Sequence, residues 1–238
     1  LQNNKKVINT KLSAVSSFFN WSLKRGLVKS HPFDKKLDRM KGAGDEHILN
    51  SYFLTSEQIA RIQNDLCTGK YDIQDRIIFN LMYDSANRIG AIAELPLSSL
   101  DLDNMLFDKI REKRGYRVQV VFLRKTKDLI VEWLEKRKTM DNLQVDSLFI
   151  AKHADGYSPM SKSTIQKRII KIGKIVGLTD FHAHCIRKSR LSAIYDATGD
   201  LVLAAELANH KSTETTRVSY LRPKSKIELR DKLMLLCK

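Results

Sequence analysis

Along most of this chain the apolar residues recur every three or four positions, and between Met105 and Leu123 that spacing gives way to alternation. A period near 3.6 keeps apolar side chains on one helix face, whereas a period of two belongs to a strand with one face buried. The chain is therefore expected to fold as packed helices around a small sheet: mainly α with a small antiparallel β-sheet, an α+β fold. Met105-Leu106-Phe107 and Arg117-Val118-Gln119-Val120-Val121-Phe122-Leu123 read as two short strands. The basic turn Arg111-Glu112-Lys113-Arg114-Gly115 joins them. Leu148-Phe149-Ile150 is a candidate third strand. Thr55-Ser56-Glu57-Gln58 has the form of a capping box, and Ile73, Ile77, Ile78, Leu81 and Met82 continue a helical pattern. Further helices are expected over 128–138, after Ser161, and over 182–197, 200–208 and 225–236.

The first helix carries Ile8, Leu12, Val15, Phe19 and Leu23 on one face and ends at Gly26, a suitable C-terminal cap. Ser30-His31-Pro32-Phe33-Asp34 signals a turn, and the polar, basic stretch that follows contains Lys41-Gly42-Ala43-Gly44-Asp45. One helix and a turn cannot bury a core alone. Residues 1–40 are thus expected to be the C-terminal remnant of a larger helical domain, 41–50 a linker, and 51–238 a second domain. The chain begins with Leu1 rather than Met, in keeping with a trimmed start.

Charge narrows the partner. There are 42 Lys+Arg against 27 Asp+Glu, a formal net charge of +15, which favours a polyanion and nucleic acid first. The cysteines Cys67, Cys185 and Cys237 form no paired motif, so neither a zinc site nor a disulfide framework is expected. No apolar stretch has the length of a membrane span, and a cytoplasmic location is expected. Asp101 and Asp103 read as loop residues rather than as a metal site.

Four islands can carry chemistry. In Tyr83-Asp84-Ser85-Ala86-Asn87-Arg88-Ile89-Gly90 one helix ends and another begins, so Arg88 adds its charge to backbone donors that already favour phosphate. Lys113 sits at the tip of the expected hairpin. In His182-Ala183-His184-Cys185-Ile186-Arg187, His184 and Arg187 are three apart and share a helix face, offering one phosphate a histidine donor and a guanidinium fork. The last island runs from Ala208-Asn209-His210 through a Ser/Thr-rich turn to Tyr220.

In this order and at these separations, the islands resemble the tyrosine recombinase, or phage-integrase, family, including its Xer-like and mobile-element members. The resemblance covers about residues 51–225. It implies the tyrosine-recombinase catalytic-domain fold and assigns catalytic roles to Arg88, Lys113, His184, Arg187, His210 and Tyr220. The segment from Leu12 to Phe33 is similar to the end of the family's helical core-binding domain, a DNA clamp. Several positions depart from the family pattern, among them Lys188 in the slot of a second His. Ala91 stands where an acidic residue is usual, Asn87 replaces a small hydrophobic residue, and the familiar Leu-Gly-His reads Ala208-Asn209-His210.

The chemistry implied is site-specific cleavage and rejoining of DNA. A tyrosine hydroxyl is ordinarily protonated at neutral pH, and a phosphodiester repels nucleophiles. Two guanidiniums and two imidazoles around the nonbridging oxygens would offset both obstacles by stabilising transition-state charge. Tyr220 would end as a 3′-phosphotyrosine, with Lys113 as the family's candidate acid for the leaving 5′ oxygen. No metal and no cofactor is required. Lys125, Lys127, Lys162, Lys167, Arg168, Lys171 and Lys188 are candidate contacts to the backbone of double-stranded DNA. The resemblance also implies a homo-oligomer, a tetramer on two DNA sites, with a C-terminal docking helix at about 225–236, found in the cytoplasm on the nucleoid. A type IB-like topoisomerase and a catalytically inactive DNA-binding module are the alternatives. Chromosome-dimer resolution and mobile-element integration would use the same residues.

Overall fold

The structure, a computed structural model, describes residues 5–33, 40, 52–111, 117–140, 143–210, 212–222, 226–228, 230 and 234. It divides into two compact units, Leu1–Ser51 and Tyr52–Lys238.

In the first unit, α1 (Lys5–Lys24) ends as its sequence predicts. Gly26 adopts φ 69°, and the Gly26 and Leu27 amides donate back to the carbonyls of Leu23 and Ser22 at 3.0 Å each. Two carbonyls that the helix would leave open are thereby satisfied. The Ser30–Asp34 turn signal is realised through His31, whose Nε2 lies 3.1 Å from the Ser16 hydroxyl and whose Nδ1 lies 2.8 Å from the Phe33 carbonyl. Packing of His31 over Ser16 makes Ile8, Leu12, Ser16, Phe19 and Leu23 the covered stripe. Val15, expected on that face, is 45% exposed. Phe18 and Trp21 stack on the exposed side, with the Arg25 guanidinium 4.7 Å from the Trp21 ring.

The second unit opens with α2 (Ser56–Asp65), started by the Thr55–Gln58 capping box. A second capping box, Asp72 with Asp75, starts α3 (Ile73–Ser85), which is buried on almost every side. A short α4 (Ile89–Ala93) follows. The antiparallel sheet has the order β1 (Leu100–Asp101), β2 (Leu106–Arg111), β3 (Arg117–Val121). Val118 and Val120 face the core while their neighbours are exposed, as the alternation requires. A bulge between Phe107 and Ile110 keeps both of those side chains buried, with Lys109 at φ 56°. Asp101 closes the β1–β2 turn by accepting from the Asn104 amide and side chain at 2.9 and 2.7 Å. The expected turn Arg111–Gly115 lies, apart from Arg111, outside the described residues.

Two elements differ from expectation. Helix α5 (Arg124–Lys138) begins four residues early, and Asp84 near the end of α3 tethers its start, accepting from the Leu123 amide at 3.0 Å and the Thr126 hydroxyl at 2.5 Å. The third strand is β4 (Ile150–His153), and it pairs with β5 (Gly156–Pro159) in a separate hairpin whose polar composition hid it. The basic helix α6 (Lys162–Gly173) starts at Ser161, as expected, and α7 (Ala183–Thr198), α8 (Leu201–Leu207) and α9 (Thr213–Tyr220) complete the fold. Of the expected helix at 225–236, residues 226–228, 230 and 234 are helical, and the rest lies outside the described residues.

The main core gathers Ile77, Ile78, Leu81, Phe107, Val120, Phe149, Ile165, Phe181 and Ile186. A smaller cluster of Ala86, Leu191, Ala204, Ala208 and Tyr220 lies across α7 from it. Helix α7 thus has one side in each cluster, and the small cluster is where the last two helices meet the end of α3.

Candidate active site

The site is built where chain ends meet. Helix α3 stops at Ala86, which takes the left-handed conformation (φ 49°) and breaks the helix one residue before Asn87 and two before Arg88. Arg88 is the first, non-helical residue of α4 and is exposed. Helix α8 ends at Ala208, and Asn209, at φ 53°, turns the chain toward His210. Asparagine tolerates that conformation better than other side chains except glycine. Helix α9 then delivers Tyr220 in its last position.

Arg187 is the hub. Only 1% of it is exposed, and its guanidinium donates to the carbonyl of Ala86, to the carbonyl of Ala208 at 2.7 Å, and to His210 Nε2 at 2.8 Å. A guanidinium has only donors, so His210 Nε2 must accept. Nδ1 then carries the proton and donates to the Thr216 hydroxyl at 2.7 Å. This neutral form agrees with the electrostatics. Burial first, then the Arg187 and Arg88 charges, push the His210 pKa down from 6.5 to about 4.

Tyr220 is 8% exposed and lies in the middle of the group. Its ring centre is 4.6 Å from that of His210 and 4.8 Å from that of His184, and the Arg187 guanidinium carbon stands 5.1 Å from it. Its carbonyl accepts from the Ser192 hydroxyl at 3.2 Å, which fixes the end of α9 against α7. His184, in the first turn of α7, and Arg187 one turn later both face Tyr220, as their three-residue spacing requires. Four of the six residues singled out from sequence therefore stand together, His184, Arg187, His210 and Tyr220, and the charge of a fifth, Arg88, reaches His210. Lys113 lies outside the described residues, between β2 and β3.

The candidate DNA contacts divide. Lys125, Lys162, Lys167 and Lys171 are exposed and Lys127 is half-buried. The Lys171 ammonium sits 4.9 Å from the Tyr71 ring. Arg168 is committed to carboxylates, at 2.9 Å from Asp75 and 3.7 Å from Asp72. Lys188 does not belong to the exposed basic surface. It is 2% exposed, and its ammonium lies 5.9 Å from the Phe53 ring. The position after Arg187 is rotated by about 100° on the helix and turns into the main core. The neighbouring Cys185 is buried too, and burial pushes its thiol pKa up.

Sequence reading passed over Thr216, whose hydroxyl sets the His210 tautomer, and Ser192, which anchors Tyr220. Thr216 occurs in a run of hydroxyl residues, which carries no sign of which one turns inward. Asn209 had a sign, since a residue that ends a helix before a functional histidine invites the left-handed conformation.

This chain belongs to the phage integrase family, whose model matches residues 52–226. Among curated proteins it is similar to tyrosine recombinase XerC of Lactobacillus delbrueckii subsp. bulgaricus, with 27% identity over 216 residues, 89% of this chain and 70% of that one. Among solved structures it is similar to XerA recombinase, at a TM-score of 0.64 and 20% identity, over 77% of this chain and 64% of that one. It is also similar to the Tn1549 transposon integrase in complex with transposon right end DNA. That match has a TM-score of 0.70 and 15% identity, over all of this chain and 81% of the other. The fold is that of the tyrosine recombinase catalytic domain. This chain spans slightly less than two thirds of the XerA chain.

Proposed function

We propose that this chain is a site-specific recombinase that cuts and rejoins strands of double-stranded DNA through Tyr220. The Tyr220 oxygen attacks a backbone phosphorus and gives up its proton to solvent, which returns one to the acid that protonates the leaving oxygen. A 3′-phosphotyrosine bond forms, the bond to the 5′ oxygen breaks, and that oxygen leaves as a 5′-hydroxyl. Attack by a different 5′-hydroxyl reverses the step and seals a new junction, so the energy of the broken linkage is kept in the covalent intermediate. Arg88, Arg187 and His184 face the nonbridging oxygens, His210 holds the Arg187 guanidinium in place through Nε2, and Lys113 protonates the leaving oxygen. Removing one such donor typically costs on the order of 100- to 1000-fold in rate. Duplex DNA is the partner, and a tetramer on two sites, assembled on the nucleoid in the cytoplasm, is the working form.

One observation carries this reading. The Tyr220 ring is enclosed by His184, His210 and the Arg187 guanidinium, all within 5.1 Å, in a chain of this family. The test uses a nicked duplex selected by binding to this chain from a random-sequence pool. Wild type should give a slow-migrating protein–DNA band on a denaturing gel, and Tyr220→Phe should bind equally and give none. Binding without a band from wild type would sink the reading.

A further inference from the structure

Asn87 is buried, 1% exposed, between the carbonyl that receives Arg187 and the residue Arg88. Its side-chain amide spans two partners. Nδ2 donates to the Gln119 carbonyl of β3 at 3.3 Å, and Oδ1 accepts from the Asn209 side chain at 3.1 Å. Asn209 in turn is the residue that sends the chain into His210. Thus one buried amide touches strand β3, adjoins Arg88, and holds the turn before His210. Both positions are among those that depart from the family pattern, and here the two departures are bonded to each other. A buried amide is costly unless its hydrogen bonds are made. An apolar residue at 87 would leave Asn209 without this partner, and glycine at 209 would leave Asn87 Oδ1 without its donor.

We propose that Asn87 and Asn209 act as a positioning pair that holds Arg88, the His210 turn and strand β3 in one frame around Tyr220. This rests on Tyr220 being the nucleophile. Neither asparagine contacts the reacting phosphate in this proposal; each acts through its neighbour.

The full chain is tested as wild type, Asn87→Leu, Asn209→Gly and the double variant, on the selected nicked duplex. Single-turnover adduct formation is measured at saturating DNA, with DNA affinity and thermal midpoint on the same samples. Asn209→Gly is the variant safest for folding, because glycine takes the left-handed conformation without strain. A displacement of about 1 Å at a reacting group can cost on the order of 100-fold. Each single variant should therefore cleave roughly 10- to 100-fold more slowly with unchanged DNA affinity, and the double variant no more slowly than the worse single. A merely structural pair would lower the thermal midpoint and leave the rate of the saturated complex at the wild-type value, which would overturn the proposal. Losses that multiply in the double variant would overturn it as well, by showing two independent residues. Absence of adduct from wild type would overturn the assignment of Tyr220 and this inference with it.

Discussion

At the scale of single residues, His210 has a measurable signature. It is neutral in the fold, with its pKa held near 4 against an ordinary 6.5. Between those values the unfolded chain binds a proton that the folded chain refuses. The stability His210 provides is therefore complete above pH 6.5 and is lost as pH falls toward 4. The thermal midpoint of wild type should fall across that window more steeply than that of His210→Gln. Parallel curves would mean that the neutral histidine contributes nothing to the fold. Much of this residue set was legible in the sequence, because an imidazole and a guanidinium three apart on a helix have little freedom in where they meet. What was not legible is the partner of each. The Arg187 carbonyl acceptors come from Ala86 and Ala208, and alanine offers a sequence reader no polar side chain to notice.

At the scale of elements, the approach of α6 to α7 is set by a missing side chain. A Cβ on Gly173, the last residue of α6, would stand 2.3 Å from the Phe181 Cβ and 2.6 Å from its Cγ. Phe181 is a buried core residue two positions ahead of α7, the helix that carries His184 and Arg187. Gly173→Ala should destabilise the protein by about 1–3 kcal/mol, read from chemical denaturation. It should also slow cleavage in the fraction that remains folded, because Phe181 must move and α7 begins beside it. Unchanged stability would contradict the packing described. The helices were readable from their spacing and from the Thr55 and Ser161 caps, which lie next to what they cap. The early start of α5 was not, because the group that tethers it, Asp84, lies some forty positions upstream. Strand β5 was hidden for a related reason: its pairing satisfies the backbone, and Gly-Tyr-Ser-Pro shows little of the β-branched bias that marks a strand.

At the scale of the whole molecule, the net charge of +15 makes salt the most direct probe of DNA binding. Each lysine that neutralises a phosphate should contribute about 0.9 to the slope of log affinity against log salt. Lys162→Gln and Lys167→Gln should each reduce the slope by about that amount. Arg168→Gln should leave it unchanged, since that guanidinium is already paired with Asp75 and Asp72. Binding titrations at a series of salt concentrations decide this, and an Arg168 effect equal to that of Lys167 would show that its carboxylates release it to DNA. Net charge pointed to a polyanion, and to nucleic acid first. Which cations face outward depended on the rotation of α6 and α7, which is why Lys188 had to be removed from the set.

Arg187 reaches a carbonyl 101 positions earlier in the chain and another 21 positions later, and Asn209 reaches back 122 positions to Asn87. Synthesis proceeds from the N-terminus, so α6, with three outward lysines, emerges well before α9. A growing chain thus acquires the lysines of α6 first and Tyr220, the proposed nucleophile, last. Until the final helices dock, Arg187 has neither His210 nor the Ala208 carbonyl, and no tyrosine stands before it. Under the proposed function, an unfinished chain would therefore hold duplex DNA without cutting it.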